Sequence, residues 1–305
     1  MKYFVNRKST APGEHDRAWH GTQKGLMTRF FAALVLIVAL APGLALPAQT
    51  SADIQPTPQK PALHPPARSE QERDEFNGDF AVTGAAVAEA AADDFAAKFP
   101  QSELRLYLYS KAMRDYELEN NPAGTLAMAK KVLALDPNHA VALTLAATVL
   151  ADGLEAGEAD RAKKIDEIRR TANRAIANVD SGFVPPAGAT PQQVEVYRTT
   201  LQSMAYSALG VMELKTGDDA AAERDLVRAA VLRKITPDPY IWYHLAPAQD
   251  HRKKYAAALN SVQQALQLSS SHPHLQRLAE IEFDRLSGLA GQRPGSGAGS
   301  RAEPQ

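Results

Sequence analysis

The chain has 305 residues, with 34 basic and 35 acidic side chains and no cysteine. Charges that nearly cancel give no electrostatic basis for a nucleic-acid partner. The lack of cysteine excludes disulfides, thiolate catalysis, cysteine-ligated metals and a lipid-modified cysteine, and the length allows about two domains.

Residues 1–26 are polar, mixed in charge and without helical period. Met27-Thr28-Arg29 then leads into the apolar run Phe30–Leu46, and Pro47-Ala48-Gln49 follows. A basic start, an apolar centre and small residues before a polar stretch describe a secretory signal over 27–48. Gly43-Leu44-Ala45 and Leu46-Pro47-Ala48 are both candidate cleavage sites. The alternative is an uncleaved anchor, because the 17-residue run lies at the short limit for crossing a bilayer. A signal starting at Met27 makes residues 1–26 a spurious N-terminal extension. Residues 49–82 are rich in Pro, Gln, Ser and charge, and read as a disordered linker.

Folded sequence is expected over 83–288, followed by a disordered tail over 289–305. The predicted helices in order are Ala85–Lys98, Glu103–Glu119, Ala123–Leu135, Ala140–Ala151 and Arg161–Val179. Asn120-Asn121-Pro122 and Asp136-Pro137 punctuate them, and a long break (DGLEAGEAD) precedes Arg161. Thr190-Pro191 then signals a helix start, a cap followed by Pro in the first turn. No breaker appears until Gly217, so one helix of about 25 residues, roughly 37 Å long, is expected. Its first turns should pack on Arg161–Val179.

Residues 204–272 contain one pattern written twice. Tyr206 corresponds to Trp242, Leu209 to Leu245, Gly210 to Ala246, Ala222 to Ala258, Ala229 to Ala265 and Pro237 to Pro273, each pair 36 residues apart. Self-similarity at such a period means stacked supersecondary units. Within each copy, two helical stripes flank a short break. Gly217 suits a left-handed helix end and Asp218 an N-cap. Two antiparallel helices approach closely only where side chains are small, which puts Gly210 and Ala222 at their crossing. Tyr206 and Trp242 should fill the wedge between units, and Pro237 and Pro273 should stop the second helices. Pro247 should kink a first helix. His274–Leu286 is the expected cap over the last unit's apolar face.

These residues resemble the tetratricopeptide repeat. Tyr206, Leu209, Gly210, Gly217, Ala222, Ala229 and Pro237 match its pattern, as do Trp242, Leu245, Ala246, Tyr255, Ala258, Ala265 and Pro273. LALDPNHA is a further repeat terminus, although its unit carries Thr125 and Val132 where Ala is usual. The resemblance implies an all-α, tetratricopeptide-like α-α superhelix, a short solenoid of about four helix pairs. The unit containing residues 153–203 is irregular and expanded.

No phosphate-binding glycine loop, His-Glu-x-x-His or nucleophile motif occurs, so no catalysis, cofactor or metal is expected. His244 and His251, or His272 and His274, lack a nearby third ligand. The resemblance implies a concave face, built from the first helices, that holds extended peptides or partner helices. By register it includes Tyr107, Ser110, Arg114, Thr144, Thr148, Ser207, Val211, Lys215, Tyr240, Tyr243, His244, Asp250 and His251. Aromatics there can anchor a ligand, and Arg114 and Lys215 can pair with acidic groups. Ser110, Thr144, Ser207 and Tyr243 stand where a terminal-carboxylate clamp of the family wants Lys, which argues against that mode. The expected function is a non-enzymatic adaptor of the bacterial envelope, exported to the periplasm, with a protein or peptide partner. The alternative is a membrane-anchored subunit of an export or assembly complex. Its membrane contact would be limited to residues 30–46, and it would meet its partner through 153–203.

Overall fold

The computed structural model describes residues 64–183 and 188–291, with side chains through 289. The signal or anchor at 27–48, the extension at 1–26 and most of the 289–305 tail lie outside the described residues. Among the described residues eleven α-helices follow one another: α1 Glu70–Ala81, α2 Ala85–Lys98, α3 Arg105–Leu118, α4 Pro122–Leu135, α5 Ala140–Asp152, α6 Arg161–Asn178, α7 Pro191–Thr216, α8 Asp219–Leu232, α9 Pro239–His251, α10 Tyr255–Leu268 and α11 Pro273–Gly291. Each packs on the next. First helices also touch across units, α5 on α7 and α7 on α9. The pairs are α3–α4, α5–α6, α7–α8 and α9–α10, with α11 laid over α10.

Local chemistry sets the boundaries. Thr190 caps α7 with a full capping box: its Oγ1 accepts from Gln193 N at 3.2 Å and Gln193 Oε1 accepts from Thr190 N at 2.8 Å. Two orphan donors are thereby satisfied, and Pro191 sits where no donor is needed. The helix then runs 26 residues to Gly217, whose φ of 83° is the left-handed conformation that glycine adopts without strain. Asp218 caps α8 by accepting from Ala221 N at 3.1 Å. The α7–α8 crossing is as tight as the pattern requires. A Cβ on Gly210 would lie 2.6 Å from Leu226 Cγ and 3.3 Å from the Ala222 carbonyl oxygen.

Position in the array explains each helix's apolar pattern. α5 is buried almost all round, continuously from Ala142 to Thr148, because α4, α6 and α7 all pack on it. α6 covers only one side and buries only Ile168, Ala172 and Ala175. The expected docking of the first turns of α7 on α6 is present: Val179 and Leu201 are buried together with Tyr197 and Phe183 beside them. Tyr206 contacts two apolar clusters, those around Met212 and Leu226, and Trp242 bridges the clusters around Leu226 and Val262.

Three expectations need correction. The linker over 49–82 does not extend to residue 82, because Glu70–Ala81 is helical. Ser69 Oγ accepts from Glu72 N at 3.0 Å, Glu72 Oε2 accepts from Arg68 N at 2.5 Å, and Phe76 inserts against Phe95. Second, Pro273 opens α11 instead of ending α10, and α8 stops at Leu232, well before Pro237. A proline in the first turn of a helix costs nothing, since that N–H has no partner there. Third, α11 extends to Gly291, beyond the expected domain end at 288. α9 runs through Pro247, which is buried, without interruption of the helix.

Candidate ligand-binding cleft

Where the first helices α5, α7 and α9 converge, a small concavity with room for about one water molecule enters the array. Thr148 and Asp152 come from α5, Met204, Ser207, Ala208 and Val211 from α7, and Ile241 from α9. The α8–α9 connection adds Arg233 and Asp238. The apolar walls follow from α7 presenting 204, 207, 208 and 211 on one helical stripe. The charges come from helix ends. Asp152 is the last residue of α5, Arg233 is the C-cap of α8 and Asp238 the N-cap of α9.

Each of these charges is held in an unusual environment. Arg233 is 4% exposed. Its Nε donates to the Thr236 carbonyl at 2.7 Å, while its Nη1 has no hydrogen-bond partner among the described residues. A buried donor left unpaired is costly and rare. Asp238 Oδ1 accepts from Tyr240 N at 2.9 Å. Burial raises its carboxyl above the ordinary range, against the pull of Arg233. Burial pushes Asp152 up to about 7, with Lys215 opposing and Asp238 adding to the rise. The cleft therefore offers carboxyl acceptors and one free guanidinium donor in a partly dry setting, where electrostatic contacts are strengthened.

The residues singled out from the sequence are distributed differently. Tyr107 is half-buried and Arg114 exposed, both on α3. Thr148 and Ser207 line the cleft. Lys215 donates to the Ala151 and Asp152 carbonyls at 3.0 and 2.6 Å, so it caps the end of α5. Tyr240, Tyr243 and His244 are 4%, 6% and 3% exposed. Tyr240 and Tyr243 pack with Val262 and Leu275, because α10 and α11 cover the side of α9 that carries them. Burial lowers the His244 imidazole to about 3. His251 is exposed and lies 2.8 Å from Asp219, and Asp250 is held by Arg285 at 2.5 Å. Asp152, Arg233 and Asp238 were not singled out. The only sequence signal among them is Asp238-Pro239, which has the same cap-then-proline form as Thr190-Pro191. Among the described residues no group of three or more His, Asp or Glu is placed to hold a metal ion.

A second acidic site lies in the α7–α8 contact. Glu213 and Asp225 are hydrogen-bonded, and Glu213 is raised well above the ordinary carboxylate range by burial first and by Asp225 second. Arg224 stands 3.0 Å from Asp225 and 3.7 Å from Glu213, and Arg228 lies 3.6 Å from Asp225. Glu213 binds its proton more tightly folded than unfolded. Its stabilising contribution is complete below the unfolded value near 4.5 and is lost as pH rises through the folded one. Glu213→Gln keeps a hydrogen bond to Asp225 without a proton to lose. The variant should match the parent near pH 5 and exceed it in thermal midpoint near pH 8.5. Parallel melting curves across that range would refute the assignment. The opposing histidines, His139 and His244, both lowered by burial, are common to both proteins and cancel.

Antiparallel pairs with small residues at the crossing, aromatics between units and a covering last helix make this a tetratricopeptide-like array of α-α pairs. No protein-family model matches the chain, and no curated protein matches it. Among solved structures it is similar to a thermophilic TPR protein of Thermus thermophilus, with 15% identity and a TM-score of 0.39 over 70% of this chain and 98% of that one.

Proposed function

We propose that the chain is a non-enzymatic scaffold that holds a segment of another protein against its first helices. The observation that carries this reading is the cleft between α5, α7 and α9, where a buried guanidinium nitrogen lacks a partner. A small, partly apolar concavity with a few fixed polar groups gives an extended segment a polar contact point on the face of the first helices. The signal-like run at 27–48 supports work in the bacterial envelope, in the periplasm if cleaved and at the inner membrane if not. Among the described residues no helix is long and apolar enough to cross a membrane.

Two sets of surface changes distinguish this reading from a contact through 153–203. Arg114 on α3 and Arg169 and Arg170 on α6 are exposed, so their replacement leaves the core intact. Arg114→Glu should abolish recovery of the co-purifying partner from the envelope. Arg169→Glu with Arg170→Glu should leave it unchanged. The reverse pattern would move the contact to the expanded region and support the anchored-subunit alternative.

A further inference from the structure

The outer side of α8 carries a surface that the scaffold function does not use. Among the described residues eight large apolar side chains are exposed, and three of them fall within nine positions: Val227, Val231 and Ile235, at 41%, 54% and 68%. Val227 and Val231 lie one turn apart on α8, and Ile235 follows in the connection to α9. α8 packs on α7 and α9 through its other side, where Leu226 and Ala229 are fully buried. Single exposed apolar residues need no explanation, but a cluster of them on one element marks a contact surface.

The charges around this row are layered. The acids lie underneath: the side chains of Asp225, Glu223 and Asp219 are 5%, 15% and 22% exposed. The bases stand above them. Arg224 and Arg228, both reaching Asp225, are 55% and 56% exposed. Arg252 and Lys254 meet Glu223 at 2.9 and 2.8 Å. Those two contacts fix the basic turn Arg252-Lys253-Lys254 beside Glu223, which lies one helical turn from Val227. Lys253 is exposed in that turn, and exposed Lys234 adjoins Ile235. The row of aliphatic tips therefore has a basic frame at both ends.

We propose that this face of α8 rests on an anionic lipid surface, with Val227, Val231 and Ile235 in the headgroup layer and the basic side chains among the lipid anions. Apolar tips framed by Lys and Arg are the composition of an interfacial contact. A protein partner fits less well, because the row is a ridge without an aromatic anchor, whereas protein hot spots favour Trp, Tyr and Arg in pockets. A lipid surface demands no complementary shape. A second copy of the chain would bring like charges together. The first helices stay free for a protein segment, so this proposal and the scaffold function stand or fall separately.

The chain has no cysteine, so Ile235→Cys gives a single attachment point for an environment-sensitive fluorophore. Arg170→Cys, at an exposed position on α6, gives the control. Each labelled full-length protein is titrated with vesicles of phosphatidylcholine, alone or mixed with phosphatidylglycerol. The label at 235 should shift to the blue on the anionic vesicles, with affinity at least about tenfold above that for the neutral ones, and the preference should fade at high salt. The label at 170 should not shift. Lys234→Glu with Lys253→Glu in the 235-labelled protein should weaken binding at least about tenfold. The run at 30–46 is common to all these proteins, so a shift confined to position 235 does not come from it. No shift at 235, equal shifts at 235 and 170, no preference for anionic vesicles, or an affinity unmoved by the double charge reversal overturns the proposal. A shift that grows with protein concentration in the absence of vesicles overturns it in favour of a second copy. A larger shift with an amphipathic helical peptide of glutamate and leucine overturns it in favour of an acidic protein segment.

Discussion

Gly210→Val should destabilise the protein by about 3 kcal/mol or more, at the upper end of what overpacking costs. Leu226 is fully buried, and its Cγ and Cδ2 would stand 2.6 and 3.1 Å from the first added carbon. The Ala222 carbonyl oxygen at 3.3 Å belongs to helix backbone and cannot retreat without moving α8. Valine adds two further methyl groups on the same side. Interiors packed to crystal density transmit such strain, so α7 and α8 must separate, and Ile241 and Leu245 of α9 pack on the same Leu226 cluster. A chemical-denaturation series with Gly210→Val, Leu226→Ala and the double variant measures the contact directly. Leu226→Ala alone should cost about 2–5 kcal/mol through its cavity. The double variant should cost at least about 1 kcal/mol less than the sum, because the valine occupies space that Leu226 vacates. Strict additivity would mean that the two positions do not meet.

Phe76→Ala should cost about 3–5 kcal/mol, the range for emptying a buried phenylalanine site. Phe76 is 2% exposed. Its ring lies 6.2 Å from Phe95 in an edge arrangement and 5.4 Å from Phe80. It therefore closes the end of the array over α2, whose Phe95 is fully buried. Phe80 on the same helix is 44% exposed, and Phe80→Ala should cost well under half as much. A linker would show no difference between the two phenylalanines. Equal, negligible effects in urea unfolding would return residues 70–81 to that description.

The parts of the fold legible in the sequence are those fixed by local rules or by a repeated register. Thr190-Pro191 and Gly217 mark the ends of α7 because capping and left-handed geometry depend on a few adjacent residues. Gly210 opposite Ala222 was legible because the second copy keeps Ala246 and Ala258 at the same spacing. α1 was obscured by composition. EQERDEFNGDFA is polar apart from its two phenylalanines and final alanine, and one inserted ring does the anchoring. Its capping pattern, Ser69 with Glu72, was present in the sequence and is the signal that would have found it.

The candidate site was less legible for a different reason. Register places Tyr240, Tyr243 and His244 on a first helix, but it cannot show that α10 and α11 consume the two tyrosines as core and that His244 is buried as well. Asp152, Arg233 and Asp238 belong to helix ends, where periodicity is silent, and only the stacking of three units brings them together. Lys215 and Arg161 illustrate the same point. The lysine reaches back to the α5 carbonyls, while Arg161 Nη2 donates to the Lys215 carbonyl at 2.7 Å.

The central claim, that the first helices hold the partner, is tested most directly by site-specific photo-crosslinking of the full-length chain in its own cells. A photoreactive residue would replace exposed Arg114 on α3, Arg170 on α6 or Val231 on α8. The account predicts one crosslinked partner from position 114 and none from 170 or 231. Adducts from 170 with silence at 114 would contradict it and place the working surface on the expanded unit.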